Sequence, residues 1–144
     1  MNSTTNRPTD AQLNAALLSI RIASTLAFLY HGSAILFGAF GGPGPEKFAA
    51  FIHAPTIVGY LVGLTQLFGG VTILTGILTR LGALCGLVNM VGAIFAVHLP
   101  NGFDVAKHGY EYALAQALIC LALLLTGPGG YSLNSRLPEQ LRKF

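Results

Sequence analysis

The chain has 144 residues, of which 53% are hydrophobic and only 9% charged, far from the roughly 25% charged content of a soluble domain. Its formal charge of +3 is spread over loops and tails without a basic face, which argues against nucleic acid as a partner. No Gly-rich phosphate loop, Gly-x-Ser-x-Gly elbow or dinucleotide fingerprint occurs, so nothing supports a soluble-type enzyme.

In chain order, residues 1–18 read as a polar cytoplasmic segment. Its opening dozen, MNSTTNRPTDAQ, is followed by an apolar run with no A-x-A-like cleavage site, so it is not expected to be a cleavable signal peptide. Residues 19–127 then hold four apolar stretches, at about 19–40, 56–78, 81–99 and 110–127. Each has about the 17 to 25 residues that a helix needs to cross the hydrocarbon core. The prediction is an all-α protein, a membrane-embedded antiparallel four-helix bundle in one domain.

Gly41-Gly42-Pro43-Gly44-Pro45 ends the first span, and EKFAAFIH after it spaces Phe48, Phe51 and Ile52 as a short interfacial helix would. Only Thr79 and Arg80 separate the second and third runs, which predicts a tight hairpin with those two residues as its turn. Asn101-Gly102 marks a turn in the second long connection, and Gly127-Pro128-Gly129-Gly130 stops the fourth span before a tail at 128–144. Gly59 and Gly63, then Gly82 and Gly86, make flat strips for close helix packing. Arg7, Arg80, Arg136, Arg142 and Lys143 gather on one side, Lys47 and Lys107 on the other. The expectation is a multi-pass protein of the plasma (bacterial inner) membrane with both termini cytoplasmic.

Polar groups inside hydrocarbon are costly, so they mark where function is to be sought. His31 is either a core histidine satisfied by a neighbour or a proton-handling, ligand-contacting one. Arg21 is either a snorkelling charge or an ion-pair or anion-binding group. Gln66, deep in the second span, must find a partner across the bundle and can position a carbonyl-bearing ligand. Asn89 is expected to form an interhelical hydrogen bond. His98 and Glu111 meet the outer level of the bundle, Glu111 either capping its helix or exchanging protons. Tyr112, Gln116 and Cys120 share one face of the fourth span, Tyr112 being also a candidate for the aromatic belt. The candidate catalytic set is His31, His98 and Glu111, and the candidate ligand-binding set is Arg21, Gln66, Asn89, Tyr112 and Gln116. No metal site is predicted, because no span carries a His-x-x-x-His or Glu-x-x-His pair. Cys85 and Cys120 lack a C-x-x-C arrangement and read as buried, inert thiols.

Several runs carry a family resemblance: His31-Gly32, Gln66-Leu-Phe-Gly-Gly-Val-Thr-Ile-Leu-Thr-Gly76, Leu78-Thr79-Arg80 and Asn89-Met90. The series continues with His98, Gly102-Phe103, Gly109-Tyr-Glu111-Tyr112 and Gly127-Pro-Gly-Gly-Tyr-Ser-Leu-Asn134. In this order they resemble the DoxX family of small bacterial membrane proteins, from Arg21 onward. The resemblance implies a four-helix inner-membrane bundle, some relatives being subunits of thiosulfate:quinone oxidoreductases or partners of redox and detoxification enzymes. The chain departs from the family at Gln66, where members commonly have an acidic residue, which puts a proton-coupled role of that helix in doubt. It departs again at Asn134, where they commonly have Asp.

Two main readings follow. In the first, the chain is a subunit of a quinone-linked redox system that holds a quinone or small ligand in a polar pocket in the outer half of the bundle. No cofactor is evident in the sequence itself, so a partner would have to bring the electron carrier. In the second, it is a non-catalytic anchor or assembly subunit that recruits a protein partner through its tail. A small-molecule transporter is a third reading, against which stand the absent inverted repeat and broken helix. The lipid bilayer is a partner in all three, and a protein partner or homo-oligomer is expected.

Overall fold

A computed structural model describes residues 7–144; the first six residues of the polar segment expected over 1–18 lie outside the described residues. Among the described residues five α-helices form: α1 (Asp10–Phe37), α2 (Gly44–Phe51), α3 (Thr56–Thr75), α4 (Thr79–Ala93) and α5 (Glu111–Thr126). Beyond α4 the chain runs on through a π-helical turn, Ile94–His98, and a 3₁₀ turn, Leu99–Asn101. α1, α3 and the combined segment Thr79–Asn101 are long and apolar enough to cross a membrane. α5 is a shorter apolar helix, about 24 Å long at 1.5 Å per residue. The protein is therefore an all-α packed bundle with a short extra helix after the first span, as the residue pattern predicts.

The ends of the spans differ from hydropathy in ways that local chemistry explains. α1 begins at Asp10, inside the expected polar segment, because Thr9 and Gln12 form a capping box: Gln12 N–H donates to Thr9 Oγ1 at 3.3 Å, and Thr9 N–H to Gln12 Oε1 at 2.9 Å. Its 28 residues reach about 42 Å, so the polar first turns extend past a hydrocarbon core of about 30 Å. The tight hairpin forms, but its turn is Gly76 to Leu78, and Thr79 and Arg80 open α4 instead. Gly76 and Leu78 both sit in the left-handed region, at φ 76° and 54°, and this reverses the chain in three residues.

α1 packs along α3, α3 against α4 and α4 against α5, while α1 and α5 meet more sparsely. Glycines set these approaches, since little hydrophobic drive separates helices from lipid. A Cβ at Gly63 would lie 2.9 Å from Leu36 Cβ on α1, and one at Gly86 only 2.7 Å from Cys120 Sγ on α5. Gly59 instead admits the Pro45 carbonyl and so seats α2 on α3. Phe28, Ile73, Ala83, Cys120 and Leu123 form the buried core.

Arg21 lies at the end of this core that carries the α3–α4 turn and the tail, and it is 1% exposed. It neither snorkels nor pairs with an acid. Its Nε donates to the Ile73 carbonyl at 2.7 Å and Nη2 to Leu74 at 2.5 Å, both in the last turn of α3. Nη1 donates to the Pro128 carbonyl at 3.0 Å and to Tyr131 at 2.7 Å. The last carbonyls of a helix have no intrahelical donor and carry partial negative charge, so a buried cation there satisfies both needs. Arg21 thereby ties α1, α3 and the tail into one knot, which Leu133 N–H tightens by donating to Thr75 at 3.0 Å. Replacing Arg21 by Met should cost about 3 kcal/mol, because the carbonyls lose a charged donor. Thermal unfolding in detergent should show a lower midpoint for Arg21→Met than for the exposed control Arg136→Met; equal midpoints would contradict the knot.

Candidate functional site

The half of the bundle remote from Arg21, beneath the α1–α2 and α4–α5 connections, holds a cavity of about 630 Å³. Ile35, Val58, Val62 and Val97 form much of its apolar wall, and Phe48 and Phe51 of α2 with Ile52 just after it close one side. Of the side chains singled out in the sequence, His31, Gln66, Asn89, His98 and Tyr112 line it, whereas Arg21, Glu111 and Gln116 do not. A mostly apolar cavity with a few convergent polar groups is the usual form of a small-molecule site.

Gln66 reaches the cavity because α1 has Gly32 opposite it, where an added Cβ would stand 3.1 Å from Gln66 Cβ. Gln66 is 5% exposed, and its Oε1 is buried without a hydrogen-bond partner among the described residues. The partner expected across the bundle is thus missing, and an unpaired buried acceptor costs about 1–3 kcal/mol. Asn89, by contrast, forms the predicted interhelical bond: Nδ2 donates to Thr65 Oγ1 on α3 at 2.9 Å and to its own helix at the Cys85 carbonyl, also 2.9 Å.

His98 sits in the π-helical turn, a rare geometry that occurs often at functional sites. Its Nδ1 lies 2.7 Å from the carbonyl oxygen of His108. A carbonyl can only accept, so Nδ1 carries the hydrogen, and in the neutral ring Nε2 is left as the proton-accepting atom. The loop is shaped for this contact: His108 adopts φ 61°, and Asn101 Nδ2 donates to the same carbonyl at 3.3 Å.

Tyr112 ends a directed chain of donors. Ser24 Oγ donates to Gln116 Oε1 at 3.0 Å, and Gln116 Nε2 donates to Tyr112 Oη at 3.3 Å. With its oxygen accepting, the Tyr112 hydroxyl keeps its hydrogen for a further acceptor. Gln116 therefore acts behind the wall and does not touch the cavity. His31 packs edge-on against Tyr30, ring centroids 5.3 Å apart, and Tyr30 stacks on Phe40 at 5.0 Å. His31 and Tyr112 also line a crevice of about 560 Å³ between α1 and α5.

Besides Gln116, two candidates fall outside the cavity for structural reasons. Arg21 is committed to backbone carbonyls at the opposite end. Glu111 Oε2 accepts from Val105 N–H at 3.2 Å in the loop before α5, which favours the structural of its two readings. No group of three or more His, Cys, Asp or Glu side chains able to hold a metal occurs among the described residues, and Cys85 and Cys120 are free thiols. Sequence reasoning missed Thr65, the His108 carbonyl and the wall formed by α2. Phe48 and Ile52, four residues apart on a short helix, were the available signal for the last.

The DoxX family model matches residues 16–99, a span that includes His31, Gln66, Asn89 and His98 and stops before Tyr112. The chain is 34% identical to a Mycobacterium tuberculosis protein named "Uncharacterized membrane protein Rv3486", over 67% of this chain and 66% of that one, just under two thirds of the relative's length. It is 28% identical to the Bacillus subtilis protein named "Putative oxidoreductase CatD", over 74% of this chain and 76% of that one. No solved structure matches the chain.

The His98 contact is directly measurable. With ¹⁵N-labelled histidine and the ring neutral, NMR should report His98 as the Nδ1–H tautomer; an Nε2–H tautomer would contradict the assignment.

Proposed function

The chain belongs to the DoxX family of multi-pass membrane proteins, and on that footing we propose that it is the membrane subunit of a quinone-linked redox system, with the quinone head group seated in the cavity. One observation carries this reading: His31, Gln66, His98 and Tyr112, from α1, α3, the π-helical turn and α5, converge on one mostly apolar cavity, where Gln66 Oε1 is buried without a partner among the described residues. The relative named as an oxidoreductase points the same way.

A quinone offers two carbonyl acceptors on a flat apolar ring. The Tyr112 hydroxyl, at the end of its donor chain, suits one of them and Gln66 Nε2 suits the other, while Gln66 Oε1, the unpaired acceptor, suits a hydroxyl of the reduced quinol. Reduction to the quinol adds two electrons and two protons. His98 Nε2, kept proton-accepting by the His108 contact, suits relaying both protons in turn from the loop side, taking each from solvent. The electrons come from a protein partner that carries a redox group. Following the Lys and Arg distribution, both termini face the cytoplasm of a bacterial inner membrane, so the cavity lies in the outer half. The alternative, a non-catalytic anchor, accounts for the Arg21 knot but not for the convergence of His31, Gln66, His98 and Tyr112 on one cavity.

Binding of menadione to the detergent-purified chain, followed by titration calorimetry, tests this. Tyr112→Phe should weaken it about tenfold, the loss of about 1.4 kcal/mol for one hydrogen bond. Glu111→Gln should bind as the wild type does. Unchanged affinity in folded Tyr112→Phe would refute the proposed seat of the head group.

A further inference from the structure

α4 carries glycines of two kinds. A Cβ at Gly86 would meet Cys120 Sγ at 2.7 Å and the Phe28 ring at 2.8 Å, so helix packing requires a glycine there. At Gly92 an added Cβ would meet nothing within 4 Å, and the backbone has no positive φ. Glycine in a helix interior costs about 1 kcal/mol relative to alanine, and at Gly92 neither packing nor backbone geometry compensates.

What Gly92 does have is a place on the cavity wall. It stands in file with Val88, 66% exposed, and Ala96, one helical turn to either side, and all three both line the cavity and face outward. Across from them Phe51 of α2, also 66% exposed, lines the same cavity. The cavity therefore opens sideways toward lipid between α2 and α4, over a sill that has no side chain at its middle. On the α3 side of the same cavity sits Gln66, whose acceptor Oε1 is buried without a partner among the described residues.

We infer that Gly92 is the sill over which the apolar tail of the ligand leaves the cavity, so that the site takes a lipid-soluble molecule with a long hydrocarbon chain and a quinone head group whose hydroxyl, in the reduced form, donates to Gln66 Oε1. The inference rests on the quinone reading above and adds where the tail runs and which residue selects for it. The crevice between α1 and α5 is the rival route. It shares His31 and Tyr112 with the cavity and is flanked by the stacked Tyr30 and Phe40.

The test uses the full chain in detergent and two probes with the same ring, menadione without a tail and a menaquinone with a long isoprenoid tail. Gly92→Phe, with Gly92→Leu in parallel, should weaken menaquinone about tenfold or more and leave menadione unchanged, at unaltered unfolding temperature. Gly92→Ala and Ala27→Trp, which fills the crevice, should bind both probes as the wild type does. If the bulky Gly92 variants still bind menaquinone normally, lose both probes equally, or if Ala27→Trp is the variant that excludes menaquinone, the sill is refuted while the quinone reading stands. A wild-type chain that binds neither probe would overturn both.

Discussion

A guanidinium without an acidic partner can sit inside an apolar bundle only if the backbone neutralises its donors, and Arg21 meets that condition with four carbonyl oxygens. Hydrocarbon offers no water to unpaired backbone groups, so the last turn of α3 and the turn after α5 need a donor from within the protein. Arg21 supplies it to both. Because the knot fixes α1, α3 and the tail at one end, the packed core of Phe28, Ile73 and Leu123 can be built next to it. The opposite end is then free to remain open.

That division separates the polar side chains by what the fold asks of them. In the packed part Arg21, Thr72 and Thr25 donate to backbone carbonyls, Thr25 Oγ1 reaching Gly70 at 3.2 Å across the α1–α3 contact, while Thr79 Oγ1 is buried without a partner among the described residues. At the open end the pattern changes. Asn89 and Gln116 are satisfied on their protein side, Gln116 presents Tyr112 with its hydrogen unspent, and His98 is locked into one tautomer by a loop carbonyl. Gln66 Oε1 is left without a partner among the described residues. A bundle needing only stability would fill such a space with aliphatic side chains, as an unsatisfied buried amide is worse than an apolar contact.

Much of this was readable from the residues, and the parts that were not have a common cause. Four apolar runs, the short helix with Phe48 and Phe51, the packing glycines and the Asn89 bond follow from hydropathy and spacing. The α3–α4 turn was misplaced because Ile77 and Leu78 are apolar, and hydropathy is blind to the left-handed φ of Leu78. The start of α1 was misplaced because the Thr9 and Gln12 cap lies in a polar stretch. Arg21 was weighed against ions and interfaces, yet its partners are backbone carbonyls, which no side-chain pattern displays. Glu111 was left between capping its helix and exchanging protons, and its bond from the Val105 amide in the preceding loop is one that no residue spacing displays. The cavity residues His31, Gln66, His98 and Tyr112 were named one by one from their depth. What brings them together is the packing of α1, α3, α5 and the π-helical turn after α4 around one cavity.

The account stands or falls on whether the cavity has an occupant in the native membrane. Purifying the tagged chain in mild detergent and quantifying small molecules in its organic extract by mass spectrometry answers this directly. The account predicts a stoichiometric quinone that disappears from a folded Gln66→Leu, Tyr112→Phe double variant. A pure, folded wild-type chain with no bound quinone, or a quinone retained equally by the double variant, would contradict it.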